Sequence, residues 1–142
     1  MVKQISIFLE NKSGRLAAVT RVLGANNIDI SALSIADTTD FGILRLIVND
    51  PDRAVNILEE HGFTVSSTDV IAISVPDKPG GLACALNILE KESIGIEYIY
   101  AFVGKRTDEA LVILRVDNPE KAAVALKSNN IKVLTSEDVN GL

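Results

Sequence analysis

A short segment of the chain occurs twice. "ENKSGRLAAV", which begins at Glu10, aligns with "PDKPGGLACA", which begins at Pro76, at an offset of 66 residues. Further along, "VNDPDRA" aligns with "VDNPEKA" at an offset of 68, so two residues were added in between, near "GKRTD". A repeat of this length is a folding unit of its own rather than a solenoid period. The sequence therefore predicts two similar domains, residues 1–68 and 69–142.

The hydrophobic periodicity changes in the same order in each copy. Apolar and polar residues alternate in "QISIFLE", which predicts a strand. Helical spacing of apolar residues follows, most clearly over Leu82–Leu89, with a counterpart over Leu16–Leu23. Two strand-like segments come next, and then Pro51 or Pro119 stands where a second helix should begin. A short strand closes each copy, so the predicted order is βαββαβ, twice.

This order predicts an α+β protein. With right-handed crossovers, βαββαβ builds a four-stranded antiparallel sheet with two helices on one face, which is the ferredoxin-like sandwich. A unit of about 70 residues is only marginally stable alone and leaves the other sheet face open. We therefore expect the two units to pack together.

The repeated segment falls at the turn from the first strand into the first helix. Ser13 could accept a hydrogen bond from the first helical turn, Pro79 needs no donor there, and the following glycine permits a tight turn. A helix-start turn with no ligand is one interpretation. The other is functional, because uncovered amides at a helix start bind carboxylates or phosphates, and nearby Asn11 and Asp77 could accept from an ammonium group. Together these groups would complement the backbone of an amino acid.

These segments carry a resemblance to a known family. "NKSGRLAAVTRVLGANNIDI" and "PDKPGGLACALNILEKESIGI", each opening a βαββαβ unit, resemble the signature of the ACT domain, a small regulatory module that binds amino acids. "ADTTDFGILRLIV" and "EYIYAFVG" are also typical of proteins built from two such domains, so the resemblance covers nearly the whole chain. It implies a free amino acid as the effector, bound by the turn and near an interface between ACT units.

The resemblance also implies which residues bind the ligand. They are the turn residues of both copies: Asn11, Ser13, Gly14, Arg15 and Leu16, and Asp77, Pro79, Gly80, Gly81 and Leu82. Ile30 and Ile96, at the starts of later strands, would close the pocket. The copies differ where Arg15 replaces Gly81, so we expect both loops to contribute without necessarily binding equally. Arg15 itself could contact a carboxylate, but a solvated helix residue is the simpler interpretation.

Aromatic residues predict a contact surface. Tyr98, Tyr100 and Phe102 are spaced by two on one strand and so share a side of the sheet, where their counterparts in the first copy are small. Phe8 should join the same face, opposite the helices. Exposed aromatic patches usually mark contact surfaces, so we expect two chains to stack these faces as a homodimer. Ring stacking on single-stranded nucleic acid is the alternative, but it needs a basic groove.

Composition and charge indicate the cell compartment and make some classes of partner unexpected. The net charge of −5 lacks the basic stripe that phosphate backbones require, so nucleic acid is not an expected partner. No stretch of 18 apolar residues is present and the N-terminus does not have the pattern of a signal peptide, which predicts a cytoplasmic protein with no membrane contact. The single cysteine, Cys84, suits a reducing compartment and is expected to be a packed helix residue.

Catalytic residues are not evident. His61 is the single histidine and falls late in the predicted second helix, where a helix-end contact is more common than general-base work. No spacing of ligands suggests a metal, and we expect no cofactor. The sequence therefore favours a non-enzymatic amino-acid-binding regulator. A regulatory subunit that acts by contact with an amino-acid biosynthetic enzyme is the main alternative, and an enzyme acting on an amino acid is a weaker one.

Overall fold

The computed structural model describes residues 1–37, 40–104 and 108–142. The chain divides into two compact units. One comprises Lys3–Thr68 and Leu142, and the other comprises Asp69–Gly141 with Met1–Val2. Most of the "GKRTD" insertion, at residues 105–107, lies outside the described residues.

The first unit contains one complete βαββαβ set. Its elements are β1 (Val2–Glu10), α1 (Arg15–Ala25), β2 (Ile30–Asp37), β3 (Phe41–Val48), α2 (Pro51–Glu60) and the beginning of β4 (Thr64–Pro76). Strand β3 pairs antiparallel with both β1 and β2, with Ile7 opposite Leu44 and Leu33 opposite Leu46. The core contains Ile5, Ile7 and Leu9 of β1 packed with residues of both helices, as the alternation in β1 predicted.

The second unit repeats this arrangement. It contains the rest of β4, α3 (Gly81–Lys91), β5 (Ile96–Ala101), β6 (Glu109–Val116), α4 (Pro119–Ser128), β7 (Lys132–Leu134) and α5 (Ser136–Asn140). Strand β4 pairs antiparallel with β6 and β7, and β5 pairs antiparallel with β6. A second core joins these strands to α3 and α4. Both units therefore have helices on one face of an antiparallel sheet, which confirms the predicted fold.

The second helix of each unit begins as predicted. Pro51 and Pro119 are the first helical residues, and the preceding residues, Asp50 and Asn118, accept hydrogen bonds from amides in the first turn through their side chains. Helix α5 was not predicted. It begins with a capping box in which Thr135 and Asp138 bond each other's backbone amides, a pattern that "TSED" carries in the sequence.

Cys84 contradicts its prediction as a packed residue, because it is exposed. The buried positions of α3 are Gly81, Ala85 and Leu89, which form one stripe at a spacing of four. Cys84 directly precedes a member of that stripe and so lies about 100° around the helix from it. In the part of the chain that the structure describes, no helix is long and apolar enough to cross a membrane.

Candidate ligand-binding loops

The glycine of each repeated turn has the same backbone conformation. Gly14 has φ 87° and ψ −7°, and Gly80 has φ 86° and ψ −8°, both in the left-handed region where a side chain is strained. In each turn the amide two residues after the strand end donates back to the strand's last carbonyl, from Lys12 to Glu10 at 2.8 Å and from Lys78 to Pro76 at 2.9 Å. Two different sequences, "NKSG" and "DKPG", thus each form a turn with the same hydrogen bond.

Each turn is anchored to a neighbouring strand connection of its own unit. The amide of Asn11 donates to the carbonyl of Asp40 at 3.1 Å, and the amide of Asp77 donates to the carbonyl of Asp108 at 2.9 Å. These bonds hold each loop at the end of its sheet where β3 or β6 begins. The side chains of Asn11 and Asp77 are exposed there.

The prediction that Ser13 caps α1 is wrong. Gly14 and Gly80 are the N-cap residues, and neither helix has a side-chain cap. The amide of Ala18 bonds the Gly14 carbonyl at 2.9 Å and that of Cys84 bonds the Gly80 carbonyl at 3.0 Å. The second and third amides of each helix precede these and have no internal helical acceptor, as is general at helix starts. Both loops therefore present backbone donors without a side-chain cap.

A leucine is exposed at the second position of each helix. Leu16 is 40% exposed and Leu82 is 37% exposed, although the helical pattern grouped both with core residues. The buried residues of α1 are Val19 and Leu23, so Leu16 lies beyond the end of the buried stripe. Each loop thus places an apolar side chain beside its free helix-start amides.

The two copies differ at the first residue of the helix that follows each loop. In the second unit, a Cβ on Gly81 would overlap the carbonyl oxygen of Pro76. In the first unit, Arg15 occupies this position, and its amide is 3.4 Å from the Lys12 carbonyl, compared with 3.0 Å for Gly81 and Lys78. The longer hydrogen bond is consistent with the extra space that the arginine Cβ needs. The first loop therefore carries a side chain that the second cannot accept.

Arg15 is not the solvated residue that the sequence suggested. Its guanidinium lies 4.9 Å from the centre of the Phe63 ring, and the residue is half-buried. Together with Glu10, Phe8 and Phe41, these two residues line a pocket of about 170 Å³ within the first unit. Phe41 and Phe63 were not predicted as site residues. The pocket contains three of the chain's four phenylalanines, and this scarce residue type was the sequence signal that could have pointed to it.

Glu10 and Lys12 form an ion pair at this pocket. Their side chains meet at 2.9 Å, and both are exposed. The hydrogen bond and charge of Lys12 lower the pKa of the Glu10 carboxyl below its ordinary value, with a smaller contribution from the charge of Arg15. Glu10 is therefore ionised near neutral pH and already has a cation beside it.

Ile30 and Ile96 lie far from the loops of their own units. Ile30 pairs with Val48, whereas Asp37, at the other end of β2, pairs with Gly42 near the loop. Ile96 likewise pairs with Val116, at the end of the sheet opposite Asp77. An eight-residue strand spans about 25 Å. Neither isoleucine therefore closes a pocket at the loop of its own unit.

The tyrosines of β5 lie on the predicted side of the sheet. Ile99 pairs with Leu114, a core residue on the helix side, so Tyr98 and Tyr100 point to the opposite face. Their rings stack with centroids 6.4 Å apart. However, both tyrosines and Phe102 are half-buried rather than open. Phe8 is exposed and makes an edge contact with Phe41, at 6.5 Å between ring centroids. Their role in a dimer stays a prediction.

The single histidine lies at the C-terminal end of α2. His61 is the C-cap residue of α2, and its Nδ1 donates to the carbonyl of Ile57 at 2.8 Å. Among the residues that the structure describes, no group of three or more histidine, cysteine or acidic side chains could hold a metal ion.

Comparisons with known proteins identify the class. A family model described as an ACT domain pair matches residues 1–142, so the chain belongs to the family of paired ACT domains. Protein BT0572 from Bacteroides thetaiotaomicron is 47% identical, with a TM-score of 0.93 over 99% of this chain and 96% of that one. A search among curated proteins finds no match.

More distant structures share the fold. The ligand-free regulatory subunit of aspartate kinase from Thermus thermophilus is 17% identical, with a TM-score of 0.67 over 89% of this chain and 91% of that one. The regulatory subunit of aspartate kinase from Thermus flavus is 18% identical, with a TM-score of 0.61 over 89% and 90%. These two structures thus share the fold of this chain over most of their length.

Proposed function

We propose that this protein is a non-enzymatic regulator that binds a free amino acid at its helix-start loops. The observation that carries the proposal is the repeated turn. Two different sequences adopt φ and ψ values that agree within 1°, with a left-handed glycine as the cap in each. A turn that served only to start a helix could use a serine or aspartate cap, which is a stronger stabiliser than glycine.

The groups at each loop complement an amino acid. Free amides at the start of α1 or α3 bind the α-carboxylate, because the helix dipole concentrates positive potential there. The exposed side chains of Asn11 and Asp77 offer oxygen acceptors for the α-ammonium group, and Leu16 and Leu82 offer apolar contact. Ile30 and Ile96 would contact such a ligand only where an ACT unit other than their own supplies the loop.

Regulation by such a ligand requires two states of the protein. A bound amino acid shifts an equilibrium only by the difference in its affinity for the two states. The signal would therefore be a change in the packing of ACT units or in the affinity for a partner protein.

Calorimetric titration against each of the twenty amino acids tests the proposal. We expect saturable binding of one or two of them, and loss of part of that binding in Gly14→Val or Gly80→Val. Gly24→Ala is the matched control, since Gly24 lies in α1, is not at a left-handed φ, and has no heavy atom within 4 Å of the position that an added Cβ would take. Circular dichroism would establish that each variant is folded. No heat with any amino acid would indicate that the repeated turn only begins the helix and binds no amino acid.

Exposed apolar side chains on the edge strands favour a second candidate function. Leu33 and Ile35 on β2 and Ile99 on β5 are exposed, and each of these strands is paired on one side only among the described residues. Such edges suit protein contacts. The alternative is a regulatory subunit that acts mainly by contact with an amino-acid biosynthetic enzyme, as the names of the Thermus proteins suggest for those chains. Co-purification with such an enzyme in the absence of amino acid would favour this alternative.

A further inference from the structure

An asparagine is followed directly by a glycine at one place in the chain, Asn140 and Gly141. This pair lies at the end of α5, where Asn140 is the last helical residue and Gly141 is the C-cap. Both residues are exposed to solvent. An amide side chain, a glycine nitrogen and water therefore come together at this helix end.

An asparagine that precedes a glycine can lose its side-chain amide without an enzyme. Hydroxide takes the amide proton of Gly141, the nitrogen attacks the Cγ of Asn140, and the side-chain nitrogen takes a proton from water and leaves as ammonia. The cyclic imide that forms then takes up one water molecule and opens to an aspartyl or an isoaspartyl residue. Glycine favours the attack, because it has no Cβ to crowd the nitrogen or to restrict the backbone angles that the ring requires.

The helix restrains this reaction. The amide of Gly141 donates to the carbonyl of Glu137 at 3.0 Å, so the attack requires that the last turn of α5 opens first. A helix of five residues is marginal unless other contacts hold it. The rate at Asn140 should therefore equal the open fraction of α5 multiplied by the rate in an open chain.

The contacts that hold α5 lie within the second unit. Its first turn is closed by the capping box of Thr135 and Asp138. Ser136 Oγ donates to the carbonyl of Met1 at 3.0 Å, and Val139 is the buried residue of the helix. Because the helix is so short, loss of the capping box should raise the open fraction along its whole length.

We propose that Asn140 is a site of spontaneous conversion to an aspartyl or isoaspartyl residue, at a rate set by how often α5 opens. The product places a carboxylate at the C-terminal end of a helix, where the helix dipole disfavours negative charge. An isoaspartyl product also adds a methylene to the backbone, which disrupts the spacing of the helical hydrogen bonds. The modification therefore favours the open form of α5, in which Val139 is exposed. It does not depend on amino-acid binding by the loops.

Incubation of the full chain in mildly alkaline buffer, followed by mass spectrometry of its C-terminal peptide, tests the proposal. We expect the mass increase of an amide-to-acid change at Asn140, with release of an equal amount of ammonia. Gly141→Ala should slow the reaction several-fold, because its Cβ crowds the attacking nitrogen. Thr135→Ala should speed it about fivefold, since it removes the N-cap of α5.

Asp50→Ala is the matched control. It removes the cap of α2 in the first unit, so it lowers the overall stability without opening α5, and Asn140 should react as in the parent. The proposal is wrong if Asn140 stays unmodified in the folded parent while the urea-unfolded chain reacts. It is also wrong if Thr135→Ala leaves the rate unchanged. Equal acceleration by Thr135→Ala and Asp50→Ala would contradict it too, because unfolding of the whole chain would then control the reaction.

Discussion

The carbonyl oxygen of Pro76 lies so close to Gly81 that a Cβ at residue 81 has no space. The same position in the first unit holds Arg15, whose amide makes a longer hydrogen bond to its turn. One turn therefore exists in two versions, a tighter one that requires glycine and a looser one that carries a long cationic side chain.

Gly81→Ala should destabilise the protein. The methyl group would overlap a backbone oxygen, which can move away only by shifting the turn, and such overpacking costs about 1–3 kcal/mol. Arg15→Ala is the paired control, because a Cβ is already accommodated there, and it should cost only the lost contact with Phe63, about 0.5–1 kcal/mol. Urea denaturation of both variants measures the difference. Equal stability of the two variants would contradict the geometry of the second turn.

Gly14→Ala and Gly80→Ala should each cost about 1–2 kcal/mol, because both residues have a left-handed φ that an L side chain disfavours. Gly24→Ala should instead stabilise the protein by about 0.4–1 kcal/mol, since Gly24 is helical and nothing lies within 4 Å of the added Cβ. Thermal denaturation of the three variants gives the comparison. Opposite signs for Gly14→Ala and Gly24→Ala are the essential result.

The N-caps of α2 and α4 should contribute equally to the stability of the protein. Asp50 and Asn118 accept from the third amide of α2 and α4, at 3.4 Å and 3.2 Å. Replacing either with alanine should cost about 1 kcal/mol. Chemical denaturation checks this. A cost near zero for one of them would show that its cap contributes little in that unit.

Tyr100→Asp tests the predicted homodimer. Tyr100 stacks on Tyr98 on the sheet face opposite the helices, and a carboxylate there would be desolvated in any stacked interface. We expect the parent to sediment as a dimer and the variant to shift toward monomer. Val124→Asp on α4 provides an exposed control. A variant dimer that matches the parent at the same concentration would exclude this face as the interface.

The Glu10 carboxyl should titrate below its ordinary pKa, because Lys12 stabilises its charged form. A lowered folded-state pKa means that the pair stabilises the fold above the unfolded-state pKa, and that this contribution disappears as the pH falls through the folded-state pKa. NMR titration of the Glu10 side chain should show the lowered pKa, and Lys12→Gln should raise it toward the ordinary value. An unchanged pKa in Lys12→Gln would mean that Lys12 is not the cause.

The fold could be predicted from the sequence because its signals are local. Alternation in β1 and the prolines that open α2 and α4 depend on neighbouring residues, and the structure confirms them. Because the sequence repeats, the same local signals also predicted the elements of the second unit. Helix α5 was missed although it also has a local signal, the capping box from Thr135 to Asp138.

The candidate site was only partly predictable. The sequence indicated the turns around Gly14 and Gly80, because a glycine that follows a strand and opens a helix is a local pattern. It did not predict that Ser13 would be left out of the cap, that Cys84 would be exposed, or that Arg15 would stack on Phe63. Each of these depends on how a helix is rotated and set against its sheet.

The sequence by itself determined the repeat, the order of elements and the two glycine turns, because hydrophobic periodicity and backbone preference act within a few residues. The tertiary structure decided which side chains meet across elements. Arg15 and Phe63 are 48 positions apart in the chain, and Phe8 meets Phe41 only because β1 pairs with β3. Contacts of that kind depend on strand register and helix placement, which follow from the packing of the whole unit.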